Sequence, residues 1–231
     1  MLNALAHHQA MNPRIRPRRL WFAWILAVVV LAAGAIVAVP AIREPVLRAA
    51  GRALVVKEPV ASADIIVVSL DSDGSGVLEA ADLVQSGIAT RVAVFVDPPS
   101  GEGNEFIRRG LPYENGGARQ VRQLGLLGVT DVLRIPRDEA GTEGEAQVLP
   151  RWCDEHQFRS IVLVAGADHS RRLRRVMDRA MKGHSTSVTI RPSRYSSFDP
   201  DRWWETRGGV RMAIVEFQKL ALDMVLHPLT F

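Results

Sequence analysis

The chain has 231 residues, with 29 lysines and arginines against 25 aspartates and glutamates and a formal net charge of +4. This length accommodates one domain with an appendage. Much of the positive charge flanks one apolar run, and no basic surface interleaved with aromatic residues is present, which argues against a nucleic-acid-binding protein. The single cysteine, Cys153, excludes an intrachain disulfide, and no cysteine–histidine cluster has zinc-site spacing.

The N-terminal part of the chain divides into three segments. Residues 1–19 are polar and basic, a composition that predicts disorder. Residues 20–42 contain no charged side chain. Because about 20 apolar residues cross a bilayer, this run predicts a transmembrane helix, and its length favours an uncleaved anchor over a signal peptide. Residues 43–62, interrupted by Pro45 and Pro59, are predicted to be a short amphipathic connector.

Basic residues flank both ends of the apolar run. They are Arg14, Arg16, Arg18 and Arg19 before it, and Arg43, Arg48, Arg52 and Lys57 after it. The basic residues on the two sides are nearly balanced, so the positive-inside rule only slightly favours an N-terminus inside the cell. We expect a single-pass protein of the cytoplasmic membrane that contacts lipid through the 20–42 helix and carries its globular domain on the extracytoplasmic side.

The globular domain is predicted over residues 63–228, where apolar runs alternate with segments of helical spacing. The predicted strands are 64–68, 91–96, 131–135, 161–164 and 187–190. The predicted helices are 78–86, 113–127, 143–156, 171–182 and 209–226. Near-continuous apolar strands that alternate with amphipathic helices are typical of a mostly parallel sheet covered on both faces. The predicted fold is therefore a three-layer α/β/α sandwich.

The first loop of the domain contains two glycines, Gly74 and Gly76, just after the first strand. Glycines at this point allow backbone amides to turn toward a phosphate at the N-terminus of the following helix. Asp71 and Asp73 oppose this interpretation, because their carboxylates would repel the phosphate that they face.

The same loop also has the pattern of a calcium-binding loop. Gly76 stands where such a loop turns sharply, and oxygen-bearing side chains recur around it. The candidate calcium ligands are Asp71, Asp73, Ser75, Glu79 and Asp82. Two features depart from the pattern: the closing position is an aspartate instead of a glutamate, and a strand precedes the loop instead of a helix. The alternative is a polar turn in which Ser75 or Asp73 caps a helix.

A second polar motif follows the third strand. Thr142 is followed three residues later by Glu145, which is the capping-box arrangement at the start of a helix. In this interpretation both side chains stabilise the start of the helix, and neither has a catalytic or binding role. The functional alternative places both side chains at the edge of the sheet, where Glu145 acts as a base or binds a ligand hydroxyl.

The junction after the fourth strand carries an imidazole and two guanidinium groups: His169, Arg171 and Arg172. An imidazole can transfer a proton near neutral pH, and a guanidinium is a fixed fork of donors for phosphate or carboxylate. Cations at a helix N-terminus oppose the helix dipole unless an anion compensates them. We therefore predict an anion-binding site here, although a loop imidazole and a solvated helix start are the alternative.

Residues 63–226 resemble the YdcF-like family, a domain of unknown function whose members include the envelope proteins SanA and ElyC. The similarity begins with Ala63-Asp64-Ile65-Ile66-Val67-Val68, Ser86-Gly87-Ile88-Ala89 and Leu127-Gly128-Val129. Thr142-Glu143-Gly144-Glu145-Ala146 is similar to the Thr-x-x-Glu-Ala motif of the family, and His169-Ser170-Arg171-Arg172 to its His-x-x-Arg motif. The closing segments are Asp201-Arg202-Trp203-Trp204 and Glu216-Phe217-Gln218-Lys219-Leu220.

The resemblance implies a Rossmann-like α/β/α domain, often membrane-anchored, that is associated with cell-envelope and peptidoglycan biogenesis. One member of the family binds S-adenosylmethionine. The shared polar positions correspond to Thr142, Glu145, His169 and Arg172. The first loop departs from the family pattern, because Val77 stands where an arginine is expected.

Two hypotheses of function follow. In the first, the protein is an envelope enzyme that acts on a phosphate-bearing small molecule or lipid-linked precursor. Arg172, beside Arg171, binds the anion, His169 is the general acid or base, and Glu145 orients or deprotonates. In the second, the domain binds a nucleotide, S-adenosylmethionine or a partner protein without catalysis, with calcium at the first loop as a variant.

Overall fold

The computed structural model of the protein describes residues 17–138 and 141–228, without the side chains at 17–20, 23, 33 and 35–38. Two compact units share the chain: the first ends at Val46 and the second begins at Leu47. Helix α1 (Pro17–Ala38) belongs to the first unit. Within the described part of the chain, no helix is long and apolar enough to cross a membrane. The predicted transmembrane helix at 20–42 is therefore not confirmed, and most of the predicted disordered segment lies outside the described residues.

Helix α2 (Pro40–Ala53) occupies much of the segment that the sequence predicts as a connector. Pro45 lies inside this helix instead of ending it, at the loss of one backbone hydrogen bond. Tertiary packing compensates this loss in the second unit. A Cβ on Gly51 would lie 2.2 Å from the carbonyl oxygen of Pro200, and the indole of Trp203 donates to the carbonyl of Leu47 at 2.8 Å. The connector prediction is thus corrected for its first half.

The sheet of the second unit has five strands, all parallel. They are β1 (Ile65–Val68), β2 (Val92–Val96), β3 (Val132–Pro136), β4 (Ser160–Ala165) and β5 (Ser187–Pro192). Their order across the sheet is β3-β2-β1-β4-β5. All five predicted strands are confirmed to within two residues. The central strands are fully buried, as their β-branched runs predict, because helices cover both faces.

Five helices of the second unit match predicted segments. They are α3 (Asp73–Gln85), α5 (Gly116–Leu126), α6 (Gly141–Glu155), α7 (Ser170–Ala180) and α8 (Arg207–Leu226). Helix α4 (Gly101–Arg108) was not predicted. It is short and largely polar, and the Ser100 hydroxyl caps it by accepting from the Gly103 amide at 3.1 Å.

The core has two layers, one on each face of the sheet. Ile65 and Val67 point to the face covered by α6 and α7, where Leu149 and Met177 are buried. Alternate residues of the same strand point to the opposite face, which α3 and α5 cover. This arrangement confirms the three-layer α/β/α sandwich and is Rossmann-like in strand order.

The strand order places a topological switch point between β1 and β4. From β1 the chain builds outward through β2 and β3, then returns to add β4 and β5 on the other side. The connections that leave β1 and β4 therefore diverge, and their carboxyl ends flank a crevice in which sheets of this type bind ligands. Val68 pairs with Val164 at this edge, and the Ser69 amide continues the ladder to the Val164 carbonyl at 2.9 Å.

Two glycines of α5 allow a matched test of the packing between α5 and the sheet. A Cβ on Gly117 would lie 2.4 Å from the Phe95 carbonyl oxygen, whereas a Cβ on Gly125 meets nothing within 4 Å. We expect Gly117→Ala to lower the free energy of unfolding by about 1–3 kcal/mol through overpacking. Gly125→Ala is expected to raise it by about 0.5–1 kcal/mol through helix propensity. Urea unfolding of both variants checks this, and equal effects would contradict it.

Candidate functional site

Three turns at the carboxyl edge of the sheet carry the polar residues of the site. The turn after β1 contributes Ser69 and Asp71, the segment after β3 contributes Arg137 and Glu145, and the turn after β4 contributes His169. Because the strands are parallel, all three turns lie on the same edge, as the sequence predicts for the last two.

Glu145 is completely buried on α6 and reaches the turn after β1. Its Oε1 accepts from the Ser69 hydroxyl at 3.0 Å and from the Leu70 amide at 2.9 Å. Its Oε2 is buried and has no hydrogen-bond partner among the described residues. Burial raises the pKa of Glu145 to about 7, and the charge of Asp71 adds to this, against the Leu70 amide, Arg137 and Ser69. The carboxyl group can therefore gain or lose a proton near neutral pH.

Arg137 is the cation that the sequence analysis missed. Its side chain is 1% exposed, forks onto the carboxylate of Asp97, and donates to the Gly141 carbonyl at 3.0 Å. One guanidinium nitrogen lies 3.4 Å from Glu145 Oε1, and the group lies 5.7 Å from the centre of the Phe95 ring. Its position directly after β3 could have identified it, because His169 was selected as a polar residue that follows β4.

Thr142 and Glu145 do not form the predicted capping box. Helix α6 begins at Gly141, so Thr142 lies inside its first turn, where it is buried. The Glu145 carboxylate does not return to the start of its own helix, because it binds Ser69 and Leu70 across the sheet edge. The alternative that placed Glu145 at the edge of the sheet describes its position, although its carboxylate binds the turn after β1 and not the turn after β4.

His169 lies at the N-terminus of α7 and is 5% exposed. Its Nδ1 lies 3.9 Å from Asp168 Oδ1, and its buried Nε2 has no partner among the described residues. Burial opposes protonation of the ring, but Asp168 outweighs it, with help from Asp71 and Glu216, so the pKa of His169 is raised above 6.5. Gly166 permits this arrangement, since a Cβ there would lie 3.1 Å from His169 Nδ1.

Asp71 connects the two titratable groups electrostatically. It is exposed, and its negative charge raises the pKa values of both Glu145 and His169. In the strand order, β1 lies between β3 and β4, so the turn that carries Asp71 lies between the turns after β3 and β4. The structure thus brings Glu145, His169 and Asp71 to one region of the sheet edge.

Gln120 is a further polar residue that the sequence did not single out. It lies on α5, is 2% exposed, and its Oε1 has no partner among the described residues, while its Nε2 lies 3.5 Å from the Ser69 carbonyl. The available signal was its place on the apolar face of α5, between Gly117 and Leu124, where a glutamine is unusual.

Arg172 does not present an open guanidinium, in contrast to the prediction. Its Nε lies 3.0 Å from Glu216 Oε2, and the side chains of the pair are 12% and 6% exposed. Lys219 contacts the same carboxylate at 2.8 Å. Despite burial, these two cations hold the pKa of Glu216 below its ordinary value. The anion predicted for Arg172 is therefore supplied by the protein itself.

Arg171 also departs from its predicted role as an anion-binding residue. Its guanidinium donates to the carbonyl oxygens of Ala53 and Val55, both at 3.2 Å. The Ala53 carbonyl is at the end of α2 and the Val55 carbonyl lies just beyond it, so the protein itself supplies the acceptors for this guanidinium.

The predicted calcium and phosphate loop is helical. Leu70–Ser72 is a 3₁₀ turn, and α3 starts at Asp73, so Gly74 and Gly76 lie in its first turn, and Gly76 packs on Ser72. The Ser75 hydroxyl donates to the Ser72 carbonyl.

Two of the carboxylates proposed as calcium ligands, Glu79 and Asp82, have protein partners. Glu79 binds the Arg191 guanidinium at 2.7 Å and the Arg194 amide at 3.0 Å, and Asp82 binds Arg194 and the Tyr195 hydroxyl. Across 17–138 and 141–228, no group of three histidine, cysteine or acidic side chains is placed to hold a metal. The geometry therefore does not support the calcium interpretation, and the phosphate interpretation of this loop stays a prediction.

Comparisons with known proteins assign no family. No protein-family model matches the chain, and no curated protein matches it significantly. The functional interpretation therefore depends on the geometry of the site and on the motifs of the sequence.

Proposed function

We propose that the protein is an enzyme that transfers protons at the edge of the sheet, with Glu145 and His169 as its acid–base pair. One observation carries this proposal. Two titratable side chains at this sheet edge, Glu145 on α6 and His169 at the start of α7, are nine-tenths buried or more, and each keeps one buried polar atom, Glu145 Oε2 and His169 Nε2, without a partner among the described residues. Buried polar atoms are almost always hydrogen-bonded. Atoms that are left free at a switch point are therefore suited to bind a substrate.

The protonation properties of the pair suit acid–base chemistry near neutral pH. A carboxyl group with a pKa of about 7 can accept a proton from a hydroxyl or water and return it. Asp168 favours the protonated form of His169, whose Nε2–H can then donate to a leaving-group oxygen. We assign Glu145 as the general base and His169 as the general acid.

We propose that the substrate carries a phosphate, as in a lipid-linked envelope precursor. A cleft of about 360 Å³ lies beside Asp168, and α8 forms its other wall. Its lining includes two exposed cations, Arg211 and Lys219, beside the carboxylates of Asp168 and Glu216, and Lys219 is paired with Glu216 at 2.8 Å. Arg211 therefore replaces Arg171 and Arg172 in the proposal as the group that meets the anion. The similarity to the YdcF-like motifs supports the assignment to envelope biogenesis.

Membrane attachment is a separate part of the proposal. The support for it is the charge-free run 20–42 with basic residues on both sides. After cell lysis and an alkaline wash, the full chain is expected in the membrane fraction. Recovery of the intact chain in the wash would contradict attachment through this segment.

The test of the enzymatic proposal uses the purified full chain and a panel of isoprenoid phosphates, nucleotides and S-adenosylmethionine. Turnover of at least one phosphate-bearing compound is expected. Glu145→Gln and His169→Gln should each reduce it by about 10²-fold or more, because general acid–base catalysis contributes about 10²–10⁴-fold. Glu155→Gln is the matched control, since Glu155 lies on the same helix and is half exposed. Equal turnover by Glu145→Gln and the wild type would contradict the proposal.

A non-catalytic binding module is the second candidate, and the complete burial of Glu145 is the observation that favours it. A carboxylate held by Ser69 and Leu70 can serve to fix two loops around a bound ligand. A ligand from the same panel that raises the melting temperature without being consumed would establish this function. Neither turnover nor a thermal shift with any member would contradict both candidates.

A further inference from the structure

The end of α2 and the first residues after it contact the start of α7 beside His169. We call residues 52–56 the strap. Four hydrogen bonds and one further polar contact join it to the two residues that follow His169. The Arg171 amide donates to the Leu54 carbonyl at 2.9 Å, and the Arg171 guanidinium donates to the carbonyls of Ala53 and Val55 at 3.2 Å each. The Ser170 hydroxyl lies 3.3 Å from the Leu54 carbonyl and accepts from the Val56 amide at 3.0 Å.

Helix electrostatics explain why an arginine occupies this position. A cation in the first turn of α7 is unfavourable with respect to the dipole of α7 itself. The last carbonyls of α2 carry the negative end of another helix dipole, and Arg171 binds one of them, the Ala53 carbonyl. The sequence predicts that a ligand anion compensates the Arg171 cation. In the structure, backbone carbonyls of the strap do so instead.

The strap is itself fixed to the body of the domain. Leu54 and Val56 are 1% and 4% exposed. Arg52 forms an ion pair with Asp201 at 2.6 Å, on the segment that leads into α8. The strap therefore connects two parts of the second unit and has little freedom to move independently of the turn after β4.

We propose that the strap positions His169, with Ser170 and Arg171 as positioning residues that hold the turn after β4 in the geometry seen here. Ser170 is completely buried and also donates to the Ala167 carbonyl at 3.0 Å, so it ties the strap to both ends of the turn. The His169 side chain has no hydrogen bond that caps α7, so the orientation of its ring depends on the backbone on either side. The strap is continuous with α2, so a change in the path of α2 reaches the site through these contacts. The catalytic meaning of the inference rests on the proposed function, but its test does not.

The test follows the titration of His169 by nuclear magnetic resonance in the full chain, with His169→Gln to identify its signal. Arg171→Ala is expected to lower the pKa of His169 measurably from its raised value, because the ring loses its alignment with Asp168. Arg171→Lys keeps the charge but cannot reach both carbonyls, so an intermediate value is expected. Arg151→Ala, at an exposed arginine with one i,i+4 partner, should leave the titration unchanged.

A purely structural role for the strap predicts a different pattern. In that case Arg171→Ala would reduce stability without moving the His169 titration, as we expect for Gly117→Ala. That result would overturn the inference. If Arg171→Ala does not fold, an unchanged His169 titration in Arg171→Lys would overturn it instead. If Arg171→Ala shifts the His169 titration but the wild-type protein turns over no substrate, the positioning role of the strap stands and the proposed enzymatic function is refuted.

Discussion

Replacement of Arg137 by alanine is expected to lower the free energy of unfolding by about 3–5 kcal/mol, because breaking a buried ion pair leaves an uncompensated charge. Arg137 is 1% exposed in its side chain and serves three acceptors: Asp97, the Gly141 carbonyl and Glu145. Its removal leaves the completely buried Glu145 without its one cationic neighbour and the start of α6 without an anchor to β2. Urea unfolding at pH 8, where Glu145 is charged, measures the effect.

Two further variants separate charge from packing in this prediction. Arg134→Ala, at an exposed residue of β3, is the matched control and is expected to change stability by less than about 0.5 kcal/mol. Adding Glu145→Gln to Arg137→Ala should restore part of the loss, because the buried charge is then absent. A loss for Arg137→Ala no larger than that for Arg134→Ala would show that the ion-pair cluster contributes little.

Glu145 is expected to make the folded protein less stable as the pH rises from about 4.5 to about 7. Its pKa is raised from 4.5 to about 7 in the folded state, so between these values the folded state binds more protons than the unfolded state. Stability linked to this group is therefore fully present below pH 4.5 and lost as the pH rises through 7. The difference is on the order of 3 kcal/mol, since each unit corresponds to about 1.4 kcal/mol.

The neutral variant Glu145→Gln isolates this contribution from the other titrating groups. Relative to the wild type, its free energy of unfolding should increase by on the order of 3 kcal/mol between pH 4.5 and pH 8. Glu155→Gln, at an exposed position of the same helix, should show no such trend. A wild-type-to-variant difference that stays constant across this range would mean that Glu145 is ionised throughout.

The strands and most helices of the second unit could be predicted because each carries its signal locally. Runs such as Ile65–Val68 are β-branched throughout and need both faces covered. Two helices escaped prediction for physical reasons. Helix α4 has a short polar sequence with little periodicity, and α2 continues past Pro45 because Gly51 and Trp203 pack it onto a segment 150 residues away in the chain. Such long-range packing leaves no local pattern.

For the candidate site, the sequence indicated residue types and strand ends, but not partners. His169 and Glu145 lie at the predicted sheet edge, because parallel strands place their carboxyl ends together. The pairing of Arg172 with Glu216 joins residues 44 positions apart, and nothing in the spacing of either motif indicates it. The geometry does not support the calcium-loop interpretation, because Glu79 and Asp82 lie on a helix and pair with distant arginines, which the local spacing does not indicate. Predictions from local motifs therefore assigned to ligands several charged side chains that the structure pairs with other residues of the protein.

The central claim is that Glu145 changes its protonation state near neutral pH inside a buried site shared with His169. The most direct test is the carboxyl carbon shift of Glu145 in the full chain, followed from pH 4 to pH 9 by nuclear magnetic resonance, with Glu145→Gln to identify the signal. We predict a titration with a pKa of about 7. A pKa near the ordinary value of 4.5 would show that Glu145 is a permanently charged structural partner of Arg137 and would contradict its assignment as the general base.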